Sequence, residues 1–187
     1  MQVSFRELMT CLHGMLFGGF FLMTIFGAVA LLLEWQHRDP APNLRLPRRQ
    51  SAYLIVTALL GWVAVLSGAY IVYPWYRAIP ASGADLTLYP QRLLISSHST
   101  AGWHYLGMEW KEHVAWFAPI SITMVAFVFI RYGSDLKNHR QLRAAVLCFA
   151  IVSFVAAGIA GFFGAMIDKY APVQGGSIIQ LSRGDGK

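Results

Sequence analysis

Hydrophobic residues form four long and almost uncharged runs along the chain, separated by polar segments. A helix that crosses the hydrocarbon core of a bilayer needs about 20 apolar residues. Because backbone polar groups cannot stay unpaired in lipid, runs of this length predict helices rather than an open sheet. We therefore predict an all-α integral membrane four-helix bundle, in which residues 1–187 form a single membrane domain. The predicted spans cover about residues 12–33, 53–73, 113–131 and 144–167.

The long connector between the second and third spans, residues 74–112, changes character along its length. Its first part contains Pro74, Pro80 and Pro90, and proline disfavours a regular helix. The stretch 102–113 contains no proline and is amphipathic, which predicts a short helix that lies at the membrane interface and continues into the third span. The first span is too long for the hydrophobic part of a signal peptide and its start is not basic, so we expect it to remain in the protein.

Composition agrees with a membrane location. Hydrophobic residues make up 56% of the chain and charged residues only 13%, whereas soluble domains contain about 25% charged residues. Two cysteines, Cys11 and Cys148, are too few for a disulfide framework. The net charge of +6 is not concentrated in a Lys/Arg-rich tract, so we expect the lipid bilayer and not nucleic acid as a partner. These values exclude an ordinary cytosolic domain, a disordered chain and a disulfide scaffold.

The distribution of Lys and Arg predicts the orientation in the membrane. Eight of the 15 Lys and Arg residues lie in two short connectors, 34–52 and 131–143. Basic loops stay on the cytoplasmic side of a membrane, so both connectors are predicted to be cytoplasmic. The loop 74–112 is then an outer loop, both termini are outside, and we expect a bacterial-type inner (plasma) membrane.

Two histidines, His13 and His113, lie at the predicted outer ends of the first and third spans. Facing helices of a four-helix bundle hold cofactors between them, and haem iron takes histidine as an axial ligand. These positions predict that His13 and His113 are the metal ligands of a b-type haem near the outer face. The alternative is a pair of interfacial histidines without a cofactor. A second pair, His37 and His139, lies among arginines in the polar connectors, so we expect these rings to be solvated.

The densest group of polar side chains precedes the third span. Glu109, Glu112 and His113 share one helix face, because they are three and four residues apart. Carboxylate and imidazole groups on one face favour a transition-metal site on the outer side of the membrane. In the simplest interpretation, Glu109 and Lys111 are only solvated, and the carboxylates favour the beginning of the span through the helix dipole.

The same glutamates suggest a second chemistry. Oxidation of a quinol releases protons, and a carboxylate beside the quinol accepts them. Glu109 and Glu112 are therefore candidate catalytic residues of a quinol site on the outer face. Tyr70 and Tyr73, at the outer end of the second span, are predicted to line the same quinone pocket.

In layout, the chain resembles the four-helix membrane cytochrome b-type subunits, which anchor redox complexes and exchange electrons with quinones. The resemblance lies in the four spans and in His13 and His113 at their outer ends, and it covers about residues 12–167. Those subunits often place their histidines deeper in the span, and many bind two haems. The resemblance implies a membrane subunit of an electron-transfer complex that binds haem b, contacts quinone and packs against other membrane subunits. The rival interpretations are a cofactor-free structural scaffold subunit of a larger complex and an outer-face metal-binding membrane protein.

Overall fold

The computed structural model describes residues 2–37, 48–136 and 138–180, and it is mostly helical. In these residues, four helices are long and apolar enough to cross a membrane. They are the first long helix (Phe5–Gln36), the second (Arg48–Tyr76), the third (His98–Gly133) and the fourth (Arg140–Tyr170). Each predicted span lies within one of them, so the four predicted helices are confirmed.

Three of the long helices contain a π-helical segment near one end, where the hydrogen bonds reach one residue further than in an α-helix. These π segments are Leu12–Gly18, Gly68–Val72 and Trp110–Val114. The α-helical parts are Phe5–Cys11 and Gly19–His37, Arg48–Ser67 and Tyr73–Tyr76, His98–Glu109 and Phe117–Leu136, and Arg140–Tyr170. π segments are rare in proteins, and where they occur they often lie at functional sites. The end of the helices that contains the π segments is therefore a candidate location for the functional site.

The four long helices pack side by side, each against two neighbours. The third helix packs against the second and the fourth, and the first helix packs against the same two. The core contains fully buried apolar side chains from every helix, namely Ile25, Leu54, Ile122 and Ala150. Large apolar side chains are also exposed on the outside of every helix, among them Met23, Leu59, Phe127 and Val152. An apolar outer surface of this extent is compatible with contact to lipid.

The two ends of the described chain meet at the end of the bundle that contains the π segments. Strand β1 (Gln2–Ser4) pairs antiparallel with strand β2 (Ile178–Gln180). Ser4 also caps the first helix, because its hydroxyl accepts from the Glu7 N–H and the Glu7 carboxylate accepts from the Ser4 N–H. The strand pair and the cap hold both chain ends against the same end of the bundle.

The predicted helix over 102–113 that continues into the third span is present as the beginning of the third long helix, which starts at His98. Gly107 has no side chain and lets Phe163 and Ile167 of the fourth helix pack closely against it. This part of the third helix therefore runs alongside the fourth helix. Two short elements precede it, the 3-10 helix Leu86–Leu88 and the α-helix Pro90–Ile95.

Candidate functional site

The described contacts do not bring the two predicted haem ligands together. His13, in the first π segment, directs Nδ1 to Ser67 Oγ of the second helix at 2.9 Å, and its ring packs on Gly68. His113 lies on the surface of the third helix, where its side chain is 68% exposed. Its Nδ1 is 3.3 Å from the Glu109 carboxylate. His13 thus faces a neighbouring helix, whereas His113 faces outward.

Lys111 explains the outward direction of His113. Side chains two residues apart on a helix do not face the same side, and Lys111 is the one whose ammonium group packs against Gly164 of the fourth helix. Its ammonium group is close enough to His13 to interact electrostatically. An iron that is held by two imidazoles needs one ring on each side of the metal. His13 and His113 share no contact among the described residues, and a haem held between them stays a prediction.

We define the lysine site as His13, Ser67, Lys111 and Asp168, which lie at the π-segment end of the four long helices. The partly buried Lys111 side chain packs its ammonium group directly against Gly164 of the fourth helix. Asp168 is one turn further along the same helix face and interacts electrostatically with Lys111. The lysine site therefore combines an imidazole, an ammonium and a carboxylate from three different helices.

Hydrogen bonds determine which nitrogen of a neutral His13 ring carries the proton. The Ser67 hydroxyl donates to the Ala64 carbonyl at 3.0 Å, so the Ser67 oxygen accepts from His13 Nδ1–H. A neutral imidazole that is protonated at Nδ1 keeps Nε2 as an acceptor. His13 Nε2 is thus able to accept a proton in the lysine site, while Lys111 is able to donate one.

Two glycines make room for these polar side chains. A Cβ on Gly68 would lie 2.7 Å from His13 Cε1, and a Cβ on Gly164 would lie 2.9 Å from Lys111 Nζ. Both distances are too short for non-bonded heavy atoms, which prefer about 3.5–4.0 Å. A larger residue at either position therefore has to move the His13 ring or the Lys111 ammonium group.

A second polar group, which the sequence did not predict, joins three helices near the same end. The Tyr76 hydroxyl is 2.7 Å from His104 Nδ1, and the Gln91 amide nitrogen is 3.3 Å from His104 Nε2. Tyr76 is only 3% exposed. Both His104 nitrogens have partners, so this histidine connects the short helix Pro90–Ile95 to the second and third long helices.

The four residues predicted to form the quinol pocket lie in two different environments. Glu109 is 76% exposed and Tyr70 is 73% exposed. Glu112 and Tyr73 are partly buried, and both are close enough to Arg77 to interact with it electrostatically. Arg77 donates to the Tyr73 hydroxyl at 2.6 Å, and this hydrogen bond raises the pKa of the Arg77 guanidinium. Glu112 and Tyr73 thus lie near one cation, whereas Glu109 and Tyr70 lie on the surface.

Two of the three residues predicted for the outer-face metal site are in contact with each other. Glu109 and His113 form a surface pair. In the part of the chain that the structure describes, no three His, Cys, Asp or Glu side chains form a group that could hold a metal ion. Of the second histidine pair, the His37 side chain lies outside the described residues, and His139 directly precedes the fourth helix.

The sequence analysis did not find Ser67, Lys111 or Asp168 as residues of the site, and its simplest interpretation left Lys111 solvated. The spacing of Lys111 contains a signal, because Trp103, Gly107 and Lys111 are four residues apart and therefore share one helix face. Trp103 stacks on Tyr170, and all three residues contact the fourth helix.

Comparisons with protein-family models, with curated proteins and with solved structures found no match. The function is therefore inferred from the geometry of this chain.

Proposed function

We propose that this chain is a multi-pass membrane subunit of an electron-transfer assembly and that the lysine site binds the head group of a quinone. The supporting observation is the position of Lys111, whose ammonium group packs against Gly164 of the fourth helix and interacts electrostatically with His13 and Asp168. Charged side chains are costly at membrane depth, and where they occur they mark substrate pathways or proton relays. A purely structural bundle does not need such a group.

The three ionisable groups suit a quinone and its reduced quinol. A quinone carbonyl oxygen accepts hydrogen bonds, and the Lys111 ammonium is a charge-assisted donor. A quinol hydroxyl donates, and His13 Nε2 accepts its proton. Asp168 is exposed at the end of the fourth helix and transfers the proton between the site and water. Oxidation of one quinol releases two protons and two electrons, and the electrons pass to a redox centre in a partner subunit.

The proposed orientation puts the lysine site near the outer face of a bacterial-type inner membrane. The connectors 34–52 and 131–143 contain eight of the 15 Lys and Arg residues. They join the helix ends that lie opposite the π segments. Because basic loops remain cytoplasmic, the π-segment end and both strands face outward. Protons from a quinol at the lysine site then leave on the outer side.

Quinone binding by the purified protein in nanodiscs tests this proposal. Decyl-substituted benzoquinone or naphthoquinone is titrated while quenching of tryptophan fluorescence is recorded. Lys111→Met removes the charge and keeps a side chain of similar length. A hydrogen bond to a charged group contributes about 1.5–3 kcal/mol, so the variant is expected to bind quinone about 10- to 150-fold more weakly.

His113→Ala is the matched control, because His113 lies on the same π segment but is exposed. It is expected to bind quinone as the unmodified protein does. Equal affinities of Lys111→Met and the unmodified protein would contradict the proposal. Equal losses in both variants would contradict it too, because the effect would then not depend on the direction of the side chain.

A cofactor-free scaffold subunit is the second candidate, and open glycines favour it. Gly14, Gly19 and Gly158 have no neighbour within 4 Å of the position where a Cβ would be. A helix of a partner subunit is able to approach closely at such residues. This function predicts that neither the unmodified protein nor any variant binds quinone, and the same titration measures that outcome.

A further inference from the structure

A shallow groove lies between the first and second long helices, toward the end of the bundle opposite the lysine site. It has a volume of about 280 Å³, and it is open on one side. Its walls are almost entirely apolar. We call it the Arg49 groove, and its lining consists of Gly27, Leu31, Arg49, Gln50 and Tyr53.

The Arg49 groove depends on the missing side chain of Gly27. The Tyr53 hydroxyl reaches the first helix, donates to the Thr24 carbonyl at 2.6 Å and occupies the space that a Cβ on Gly27 would need. The hydroxyl is therefore already hydrogen-bonded. The Tyr53 ring and Leu31 remain as apolar surface against which a hydrocarbon chain is able to pack.

Arg49 is the charged residue among those that line the groove, and because the walls are apolar it contributes mainly its hydrocarbon stem to them. Its side chain is exposed, and among the described residues no carboxylate pairs with its guanidinium. Gln50, the next residue, also lines the groove. Tyr53 is one helical turn from Arg49, about 6 Å toward the middle of the helix.

We propose that the Arg49 groove binds an anionic glycerophospholipid of the phosphatidylglycerol type. The Arg49 guanidinium binds the phosphate, because its planar fork matches two phosphate oxygens. One acyl chain then lies against Leu31 and the Tyr53 ring. An exposed guanidinium beside an apolar groove matches the phosphate and acyl parts of a lipid. Basic pockets between membrane helices on the cytoplasmic side bind such head groups, and the proposed orientation places this groove on that side.

Native mass spectrometry of the full-length protein in detergent, titrated with phosphatidylglycerol or phosphatidylcholine, tests the lipid site. Arg49→Gln is expected to weaken phosphatidylglycerol binding about tenfold, as for the loss of a contact to a charged group. Arg48→Gln is the matched control, since it removes the same charge from an exposed side chain that does not line the groove. The control is expected to bind phosphatidylglycerol as the unmodified protein does, and phosphatidylcholine is expected to bind more weakly.

Glycerophosphoglycerol, the head group without acyl chains, is the second probe. It is expected not to displace the lipid, because it lacks the part that packs against Leu31 and Tyr53. Equal weakening by Arg48→Gln and Arg49→Gln, or displacement by glycerophosphoglycerol at lipid concentrations, overturns the proposal and indicates unspecific charge attraction. Arg49→Gln is expected to leave quinone binding unchanged, so the failure of one proposal is distinguishable from the failure of the other.

Discussion

The substitution Gly164→Ala separates the stability of the fold from the function of the lysine site. The added Cβ would lie 2.9 Å from Lys111 Nζ. Non-bonded heavy atoms prefer about 3.5–4.0 Å, so the ammonium group has to move by roughly 0.6–1.1 Å. Lys111 has a flexible four-carbon stem, and the movement therefore does not need to strain the backbone.

The two effects of Gly164→Ala have opposite signs. Alanine is about 1 kcal/mol more favourable than glycine inside a helix, so the free energy of unfolding is expected to stay the same or to rise by up to that amount. The displaced ammonium group no longer reaches the quinone oxygen at hydrogen-bond distance. Loss of a charged hydrogen bond costs about 1.5–3 kcal/mol, so the quinone affinity is expected to fall at least about tenfold.

Gly158→Ala is the matched control on the same helix, since no atom lies within 4 Å of its added Cβ. Unfolding in mixed micelles with SDS measures the stability of each variant, and quenching of tryptophan fluorescence measures the quinone affinity. Both variants are expected to stay folded, and only Gly164→Ala is expected to bind quinone more weakly. An unchanged affinity in Gly164→Ala would refute the reasoning that the position of the Lys111 ammonium determines binding.

Two other variants test the packing of the helices and the haem hypothesis. Ser153→Ala removes a hydrogen bond of 2.7 Å from a fully buried hydroxyl to the Ala118 carbonyl. It is expected to lower the free energy of unfolding in SDS by about 0.6 kcal/mol, and a loss far above that value would show that Ser153 has a further role. His113→Ala is expected to leave the visible absorption of the reduced protein unchanged, because the ring is exposed. Disappearance of a b-type band in this variant would show that His113 ligates haem.

The long helices were predictable because apolar runs of sufficient length are visible in the sequence without knowledge of any contact. Their ends were less predictable. The third helix begins at His98, before the helix predicted from residue 102, and Trp103 and Gly107 pack against the end of the fourth helix. This packing depends on residues more than 50 positions away along the chain, so hydropathy along one segment does not reveal it.

The sequence identified His13 as a candidate but not its neighbour in the lysine site. The equal depth that the sequence predicts for His13 and His113 does not determine the direction of a side chain around its helix. Each residue that a π segment inserts rotates the following side chains by about 100° relative to a regular helix. Both histidines lie in such segments, Leu12–Gly18 and Trp110–Val114. The spacing of Lys111 from Gly107 and Trp103 indicates a shared helix face, but only the structure shows that this face packs against the fourth helix.

The stability of Lys111→Met distinguishes a binding site from a structural ion pair. An apolar side chain of similar length is able to pack against Gly164 without the desolvation cost of an ammonium group. Removing one partner of an ion pair is strongly destabilising when the other charge stays buried, but Asp168 is exposed and remains hydrated. Lys111→Met is therefore expected to be at least as stable as the unmodified protein while it loses quinone affinity. A structural role of the lysine would require the opposite, a clear loss of stability in the same variant.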